Sequence, residues 1–402
     1  MMKLLTFSSL FPNREMPSHG IFVENRLRHL VEHGRVEAQV VAPVPWFPFS
    51  SARFGRYATY ARVPARETRF GLDVRHPRYL VAPRIGMNFT PLTMALAARP
   101  TVAAIRASGF DFDAIDAHYF YPDGVAAALL ARWFDRPLVI TARGSDVTEL
   151  PAHAGPRRMI RWAAREASAI VTVCTALKTR LALLGADAGK IDVLRNGVDL
   201  RGFTPVDRDA AREALSLPKQ GQVVASVGHL IPRKGHELVI EALATLPDAT
   251  LLIAGSGPEG PALARLAERL GVSARVRFLG QLAHQRLPSV YAASDALVLA
   301  SSNEGWANVL LEAMACGTPV VATDVGGSRE VVDAPEAGVL VRERDTRHIA
   351  DALRGLLAAL PDRAATRRYA ERFSWDETTR GQERLFASLL ARPAANACGA
   401  VS

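Results

Sequence analysis

The sequence predicts an α/β protein of two doubly wound domains, each a parallel sheet with helices on both faces. Three observations predict it. The chain has 402 residues, which at roughly 100–200 residues per domain suggests two. Through its second half, short continuous apolar runs alternate with helically spaced segments. The first half repeats that rhythm around one long interruption. Continuous apolar strands separated by helices mark a sheet buried on both faces.

In the first half, strands are expected at Lys3–Ser8, Glu37–Ala42, Ala114–His118, Leu138–Thr141, Ala169–Val173 and Ile191–Leu194. Helices are expected at Phe22–His33, Pro91–Ala107, Gly124–Phe134, Arg157–Ala167 and Ala176–Leu184. The proline-rich tract Pro43–Pro83 breaks the pattern and reads as a long excursion over the surface. In the second half, strands are expected at Val223–Val227, Thr250–Ala254, Arg275–Leu279, Ala296–Ala300, Pro319–Ala322 and Gly338–Val341. Helices should span Glu237–Leu246, Pro261–Leu270, Leu287–Ala293, Val309–Ala315 and Arg347–Leu360, with proline in the first turn of the second. The expected domains are 1–198 and 199–375, followed by a terminal helix and frayed tail over 376–402.

With 49% hydrophobic residues the chain can bury two cores, which excludes disorder as a description of the whole. Cys174, Cys316 and Cys398 show no CxxC pairing and no partnered histidine spacing, so a zinc site or disulfide framework is not expected. A reducing cytoplasm fits that usage. Met1–Leu10 is apolar but has no small-residue cleavage site after it, so it reads as a first strand rather than a signal peptide. No run reaches the ~18 apolar residues of a membrane span.

The net charge is +9, and it is unevenly placed. Residues 1–200 hold 26 Lys and Arg against 17 Asp and Glu, whereas residues 201–402 hold 23 of each. Ten arginines fall between Ala52 and Arg106 against only Glu67 and Asp73. Such a tract suits nucleic acid, an anionic membrane or a phosphorylated substrate, or is simply a solvated surface.

In doubly wound sheets, ligands bind beyond the carboxyl ends of the strands, so the chemistry should lie in those loops. Gly228-His229-Leu230-Ile231-Pro232-Arg233-Lys234-Gly235 joins a strand to a helix. Its adjacent Arg233 and Lys234, beside helix-start amides, form a diphosphate site or a solvated basic turn. Glu304 follows another strand, and Glu312 falls two turns into the next helix. Ionised carboxylates there can accept hydrogen bonds from vicinal hydroxyls, although a lone Glu312 would read as a surface residue. The amides near Asn308, Val309 and Leu310 favour an anion. Gly255-Ser256-Gly257-Pro258, Phe278-Leu279-Gly280 and Gly326-Gly327 are turns. No GxxxxGK[ST] loop is present, which argues against a P-loop NTPase. In the first half, Gly20 opens a helix where backbone can approach a ligand closely. His118 ends a strand at the expected cleft mouth, and Arg143-Gly144-Ser145-Asp146 ends the next. Asp111-Phe112-Asp113 precedes its strand, so it reads as a turn rather than a metal site.

The stretch from Glu304 to Val321 resembles the E-x7-E motif of family-4 retaining glycosyltransferases of the GT-B fold. Gly228–Gly235 is similar to that family's G-x-L-x-x-x-K-G loop, Gly255–Pro258 to its G-x-G-P turn, and Asn196-Gly197-Val198-Asp199 to its interdomain NGVD. Val325–Glu330 is similar to its last glycine-rich loop. Looser similarity extends to Gly20–Val23, His118 and Gly144–Asp146.

The resemblance implies two Rossmann-like domains facing across a cleft, with the terminal helix crossing back to the first. It implies retaining transfer of a sugar from a nucleotide donor, with no metal and no cofactor. By that analogy Arg233 and Lys234 hold the diphosphate, Glu304 the sugar hydroxyls and Glu312 the ribose. Backbone at Phe278–Gly280 meets the base, and Gly228, Gly257 and Asn308–Leu310 complete the donor site. Gly20 lies against the donor phosphates, His118 beside the reacting sugar or acceptor, and Arg143 and Asp146 on the acceptor side. Many relatives carry His at Arg143 and Phe-Gly at Trp306-Ala307, so this chain departs from the family pattern on the acceptor side and around the transferred sugar. A nucleotide-sugar 2-epimerase of similar architecture and an inactive sugar-nucleotide-binding protein are the alternatives.

With the donor motifs in the neutral half, the basic half becomes the acceptor side. Nucleic acid is not an expected partner, because no recognised binding module appears. The expected acceptor is a glycan or a phosphorylated lipid-linked one. The Ala52–Arg106 arginines are the expected docking face on the inner surface of a cytoplasmic membrane.

Overall fold

The computed structural model describes residues 1–81 and 86–391. The chain divides into two compact units, Met1–Arg195 with the segment from Asp376 on, and Asn196–Trp375. Each is described by itself.

In the first unit the strands are β1 (Met2–Phe7), β2 (Val36–Val41), β3 (Val44–Pro45), β4 (Arg66–Arg69), β5 (Leu72–Arg75), β6 (Arg78–Tyr79), β7 (Ala114–His118), β8 (Leu138–Ala142), β9 (Ala169–Thr172) and β10 (Ile191–Val193). Eight form one sheet in the order β10-β9-β8-β7-β1-β2-β5-β4, and β3 pairs with β6 separately. All neighbours in the large sheet are parallel except β4 and β5. Continuous burial of β7, β8 and β9 is what a sheet covered on both faces requires.

The second unit has β11 (Gln222–Val227), β12 (Ala249–Ala254), β13 (Val276–Gly280), β14 (Ala296–Leu299), β15 (Val320–Thr323) and β16 (Gly338–Val341). They form one parallel sheet in the order β13-β12-β11-β14-β15-β16. The strand order reverses between β11 and β14, so the loops after these two strands diverge and leave room for a ligand. In the first unit the reversal falls between β1 and β7. Arg233 and Lys234 follow β11, Glu304 follows β14, Gly20 follows β1, and His118 ends β7.

The core of the second unit is Val, Ile, Leu and Ala from β11, β12 and β14 packed under the helices His236–Leu243, Gly260–Arg269 and Thr346–Ala358. The first unit's core includes Leu4, Leu30, Val139 and Val171 together with Phe386 and Leu389 of the helix Trp375–Leu390. That helix begins at the unit boundary, and the Thr378 hydroxyl donates to the Arg195 carbonyl.

The tract Pro43–Pro83 is not a bare excursion. It contains β3, the helix Arg56–Arg62 and the strands β4, β5 and β6, and β5 and β4 extend the main sheet. The β4–β5 hairpin turns at Phe70 and Gly71, with φ of 47° and 80°, as a two-residue turn of matching twist requires. Its sequences RETR, at the sheet edge, and LDVR, which alternates buried and half-buried residues beside it, carry no continuous apolar run. Arg84 and the frayed end expected after Arg392, with Cys398, lie outside the described residues.

Candidate active site

Around the second unit's reversal point, glycines fix the backbone. Gly228 and Gly255 directly follow β11 and β12, and Gly280 ends β13, all with positive φ (153°, 152° and 67°). A Cβ on Gly255 would fall 1.8 Å from the Gly228 carbonyl oxygen, and one on Gly257 would fall 2.3 Å from that of Leu230. Gly255, Gly257 and Gly260 fall at the GxGxxG spacing of dinucleotide loops. Here the first two are demanded by the neighbouring turn. Gly228 N–H donates to Ala254 O at 3.0 Å and Gly255 N–H to Gly280 O at 2.8 Å, so the three strand ends are tied in a row. Phe278 stands half-exposed beside them.

Gly235, with φ of 69°, leads into the helix His236–Leu243 so close to β14 that a Cβ would meet Ala300 O at 2.1 Å. This approach joins the two diverging loops. Lys234 Nζ donates to Glu304 Oε1 at 2.6 Å, Arg233 Nη1 lies 4.0 Å from Glu304 Oε2 and donates to Asn303 O at 2.9 Å. Ser301 Oγ donates to the same Oε1 at 2.6 Å. Glu304 is buried, and its Oε2 accepts no hydrogen bond among the described residues. The final glycine loop supports it, since a Cβ on Gly326 would overlap Glu304 O at 1.7 Å.

Glu312 is no surface carboxylate. It is buried, and its oxygens accept from His284 Nε2 at 3.1 Å and the Tyr291 hydroxyl at 3.0 Å. Burial pushes the His284 imidazole down, but the hydrogen bond and charge of Glu312, with Asp199 behind, raise it above its ordinary value. The helix Asn308–Ala315 starts at this place. Asn308 N–H donates to Trp306 O and Leu310 N–H to Ala307 O. Of the three amides expected to meet an anion, only Val309 is not engaged in this way.

In the first unit, a Cβ on Gly20 would lie 2.2 Å from Leu10 O, so the fold itself demands glycine there. His118 is not at an open mouth, as the sequence suggested; it is 1% exposed. Arg143 Nη2 donates to its Nδ1 at 2.7 Å. A guanidinium only donates, so Nδ1 is the acceptor and the proton sits on Nε2, which lies 3.1 Å from Asp116 Oδ2. Burial lowers the imidazole to about 4 against the pull of Asp116, leaving it neutral near pH 7. Burial also pushes the Arg143 guanidinium well down; the residue lies over the Phe22 ring at 5.2 Å.

Asp146 is placed otherwise than expected of an acceptor contact. It is wholly buried and accepts the backbone N–H groups of Phe120, Arg143 and Gly144 at 2.7–3.1 Å. Asp111 pairs with Arg106 and Arg136, and Asp113 accepts the Lys3 amide, so both serve the turn before β7. Of the Ala52–Arg106 arginines, Arg62, Arg66, Arg69, Arg75 and Arg106 pair with carboxylates and Arg78 with backbone carbonyls. Five of the ten arginines in the tract expected to be a docking face are thus held in ion pairs, Arg66 and Arg75 sharing Asp73.

Ser301, His284 and Tyr291 were not legible as site residues. Ser301, three residues before Glu304 in one loop, carried a usable signal; the other two are brought in by the fold alone.

Residues 20–201 match the model of glycosyltransferase family 4, and residues 207–373 that of glycosyl transferases group 1. The D-inositol 3-phosphate glycosyltransferase of Mycobacterium leprae (strain Br4923) is 38% identical over 292 residues, 67% of this chain and 67% of that protein. The chain belongs to glycosyltransferase family 4. The enzyme of the same name from Mycobacterium tuberculosis (strain F11) is 37% identical, over 69% of this chain and 61% of its own length, so this family-4 chain spans about two thirds of the curated relatives it matches. Sucrose-phosphate synthase from Thermosynechococcus elongatus superposes with a TM-score of 0.80, covering 97% of this chain and 100% of that one at 22% identity. Anabaena HepE in complex with UDP-glucose gives 0.71, covering 96% and 100% at 21% identity. The family-4 chain therefore has the GT-B fold and is a glycosyltransferase.

Proposed function

We propose that the protein transfers a sugar, with retention, from a nucleoside diphosphate donor to a hydroxyl of a glycan or lipid-linked acceptor. The observation that carries it is the Lys234–Glu304 contact with Arg233 beside it. As the glycosidic bond breaks, the departing diphosphate gains charge. Cations aimed at that charge stabilise the transition state more than the ground state. Glu304 holds Lys234 in place through Oε1 and keeps Oε2 for a sugar hydroxyl. Glu312, oriented by His284 and Tyr291, accepts the ribose hydroxyls. The base lies along Phe278–Gly280.

With two cations supplying this charge, turnover needs no divalent metal. Double displacement would need a carboxylate against the sugar's far face, and none is assigned. The proposed route is front-face: the C1–O bond to the diphosphate breaks, the acceptor oxygen bonds C1 on the same face, and its proton passes to the departing phosphate oxygen. The first unit supplies the acceptor side. The product belongs to a surface polysaccharide or glycolipid made at the inner face of the cytoplasmic membrane.

A second reading of the acceptor, a phosphorylated polyol, is favoured by the name of the mycobacterial relatives. Protection from thermal unfolding by UDP-, GDP- or ADP-sugars identifies the donor. Product NMR then tests the reaction: an inverted anomeric configuration, or donor epimerised without acceptor, would sink this reading.

A further inference from the structure

The first unit carries an apolar surface for which sugar transfer has no use. Strands β3 and β6 run parallel and end side by side, with Trp46 N–H donating to Tyr79 O at 2.7 Å. Trp46 and Leu80 therefore emerge together, and they are 51% and 61% exposed. The Thr93 hydroxyl donates to Leu80 O at 2.8 Å, which ties this edge to the helix Thr90–Ala107. That helix is apolar on two sides. Met94, Ala98 and Val102 are buried, whereas Leu92 and Leu96 are 46% and 50% exposed, with Phe89 just before them at 60%. The spacing of 89, 92 and 96 places them along one stripe. A surface helix ordinarily turns polar residues to water, and a contiguous apolar patch marks an interaction site.

A basic helix adjoins it. The turn Gly86–Asn88 sits against Gly155, where a Cβ would fall 1.9 Å from Asn88 Oδ1. Gly155 opens the helix Ala154–Glu166, which buries Pro156, Ile160 and Ala163 and exposes Arg157, Arg158 and Arg161. Unlike Arg62, Arg66, Arg69, Arg75 and Arg106 of the Ala52–Arg106 tract, these three form no ion pair among the described residues. An apolar stripe beside uncompensated arginines matches a bilayer interface, with its apolar boundary and phosphate plane.

We propose that this face seats on a bilayer rich in anionic lipid, with Phe89, Leu92 and Leu96 entering the headgroup boundary and the three arginines meeting lipid phosphates. The proposal rests on the reading of a membrane-presented acceptor. It moves the charged part of the docking face from the Ala52–Arg106 tract, half of whose arginines are held in ion pairs, to the helix Ala154–Glu166.

Cosedimentation of the full chain with phosphatidylcholine vesicles, with and without roughly one third phosphatidylglycerol, tests it. Binding should require phosphatidylglycerol and fall as salt shortens the screening length. The combined Arg157→Ser, Arg158→Ser and Arg161→Ser variant should bind on the order of a hundredfold more weakly. The Leu92→Ser, Leu96→Ser variant should lose roughly tenfold or more. Both should keep normal donor binding. Equal binding to uncharged vesicles, or no change in either variant, overturns the proposal. So does a dimer that Leu92→Ser, Leu96→Ser dissociates without any vesicle binding, since a second copy would then cover the face. If Lys234→Ala leaves transfer intact while vesicle binding follows these expectations, the donor reading fails and the docking surface stands.

Discussion

Lys234 Nζ lies 2.6 Å from Glu304 Oε1, a contact between loops 70 residues apart that the reversal of strand order between β11 and β14 brings together. On the proposed reading the pair gives each residue two duties: Lys234 is held by Glu304 and still faces a leaving group, and Glu304 anchors Lys234 and still accepts from a sugar.

Lys234→Ala should lower kcat by about two to three orders of magnitude, the scale for losing one preorganised charge contact. Lys234→Arg should recover only part, because a planar guanidinium cannot replace a compact ammonium in this contact. Steady-state kinetics on the identified donor check this; near-normal kcat in Lys234→Ala would remove the lysine from the leaving-group role.

Glu304→Gln keeps the shape and removes the charge. The expected result is a sugar-specific loss: kcat falls at least about tenfold, while affinity for the free nucleoside diphosphate changes little. Calorimetric titration with the diphosphate, set beside turnover, separates the two. An equal loss in both would place Glu304 on the nucleotide instead.

Much of this site was legible because its chemistry sits in contiguous loops. Arg233, Lys234, Glu304 and the turns at Gly255 and Gly326 follow predicted strands, and the strand rhythm gave both doubly wound units. The hidden parts depend on contacts between distant segments. Glu312 taken alone would read as a surface carboxylate, and only the resemblance singled it out, because nothing along the chain announces that Tyr291 and His284 reach it. His118 read as open because a strand's end does not reveal that Arg143 and Asp116 close over its ring. Strands β4, at the sheet edge, and β5, next to it with alternating Leu72 and Val74, lack the apolar continuity that identified the others.

Turnover should persist at its full rate in EDTA. On the proposed reading the cations facing the leaving group are Arg233 and Lys234, and the aspartates that resemble a metal motif, Asp111 and Asp113, bind Arg106, Arg136 and the Lys3 amide. Loss of activity in EDTA with recovery on adding Mg²⁺ or Mn²⁺ would overturn the metal-free reading.

Arg212 should prove structural. It is wholly buried, donating to Asp295 Oδ2 at 2.8 Å and to the carbonyls of Ala293, Lys219 and Gly221. Arg212→Ala strands Asp295 without its closest cation and should cost about 3–5 kcal/mol. Urea unfolding of the second unit's transition reads this; a cost below about 1 kcal/mol would show that Arg208, also bonded to Asp295, compensates.

Acid should unfold the chain partly through two buried histidines. Burial lowers His118 and His236 each to about 4; Asp116 opposes this at His118, and the hydrogen bond to the His229 carbonyl opposes it at His236. Both are neutral in the folded state at pH values where the unfolded chain, with histidine near 6.5, has taken up protons. Their contribution is therefore complete above the unfolded value and lost as pH falls from about 6.5 to about 4, by about 3 kcal/mol each. Asp123 works the other way. Burial raises it to about 7 against its Ser9 hydrogen bonds, so it holds a proton through this window and offsets one histidine. The melting temperature of wild type should fall with acid across the window, while His118→Asn, His236→Asn, less stable at pH 7, should show a flatter or reversed slope. Parallel profiles for the two proteins would show that neither histidine is held neutral by the fold.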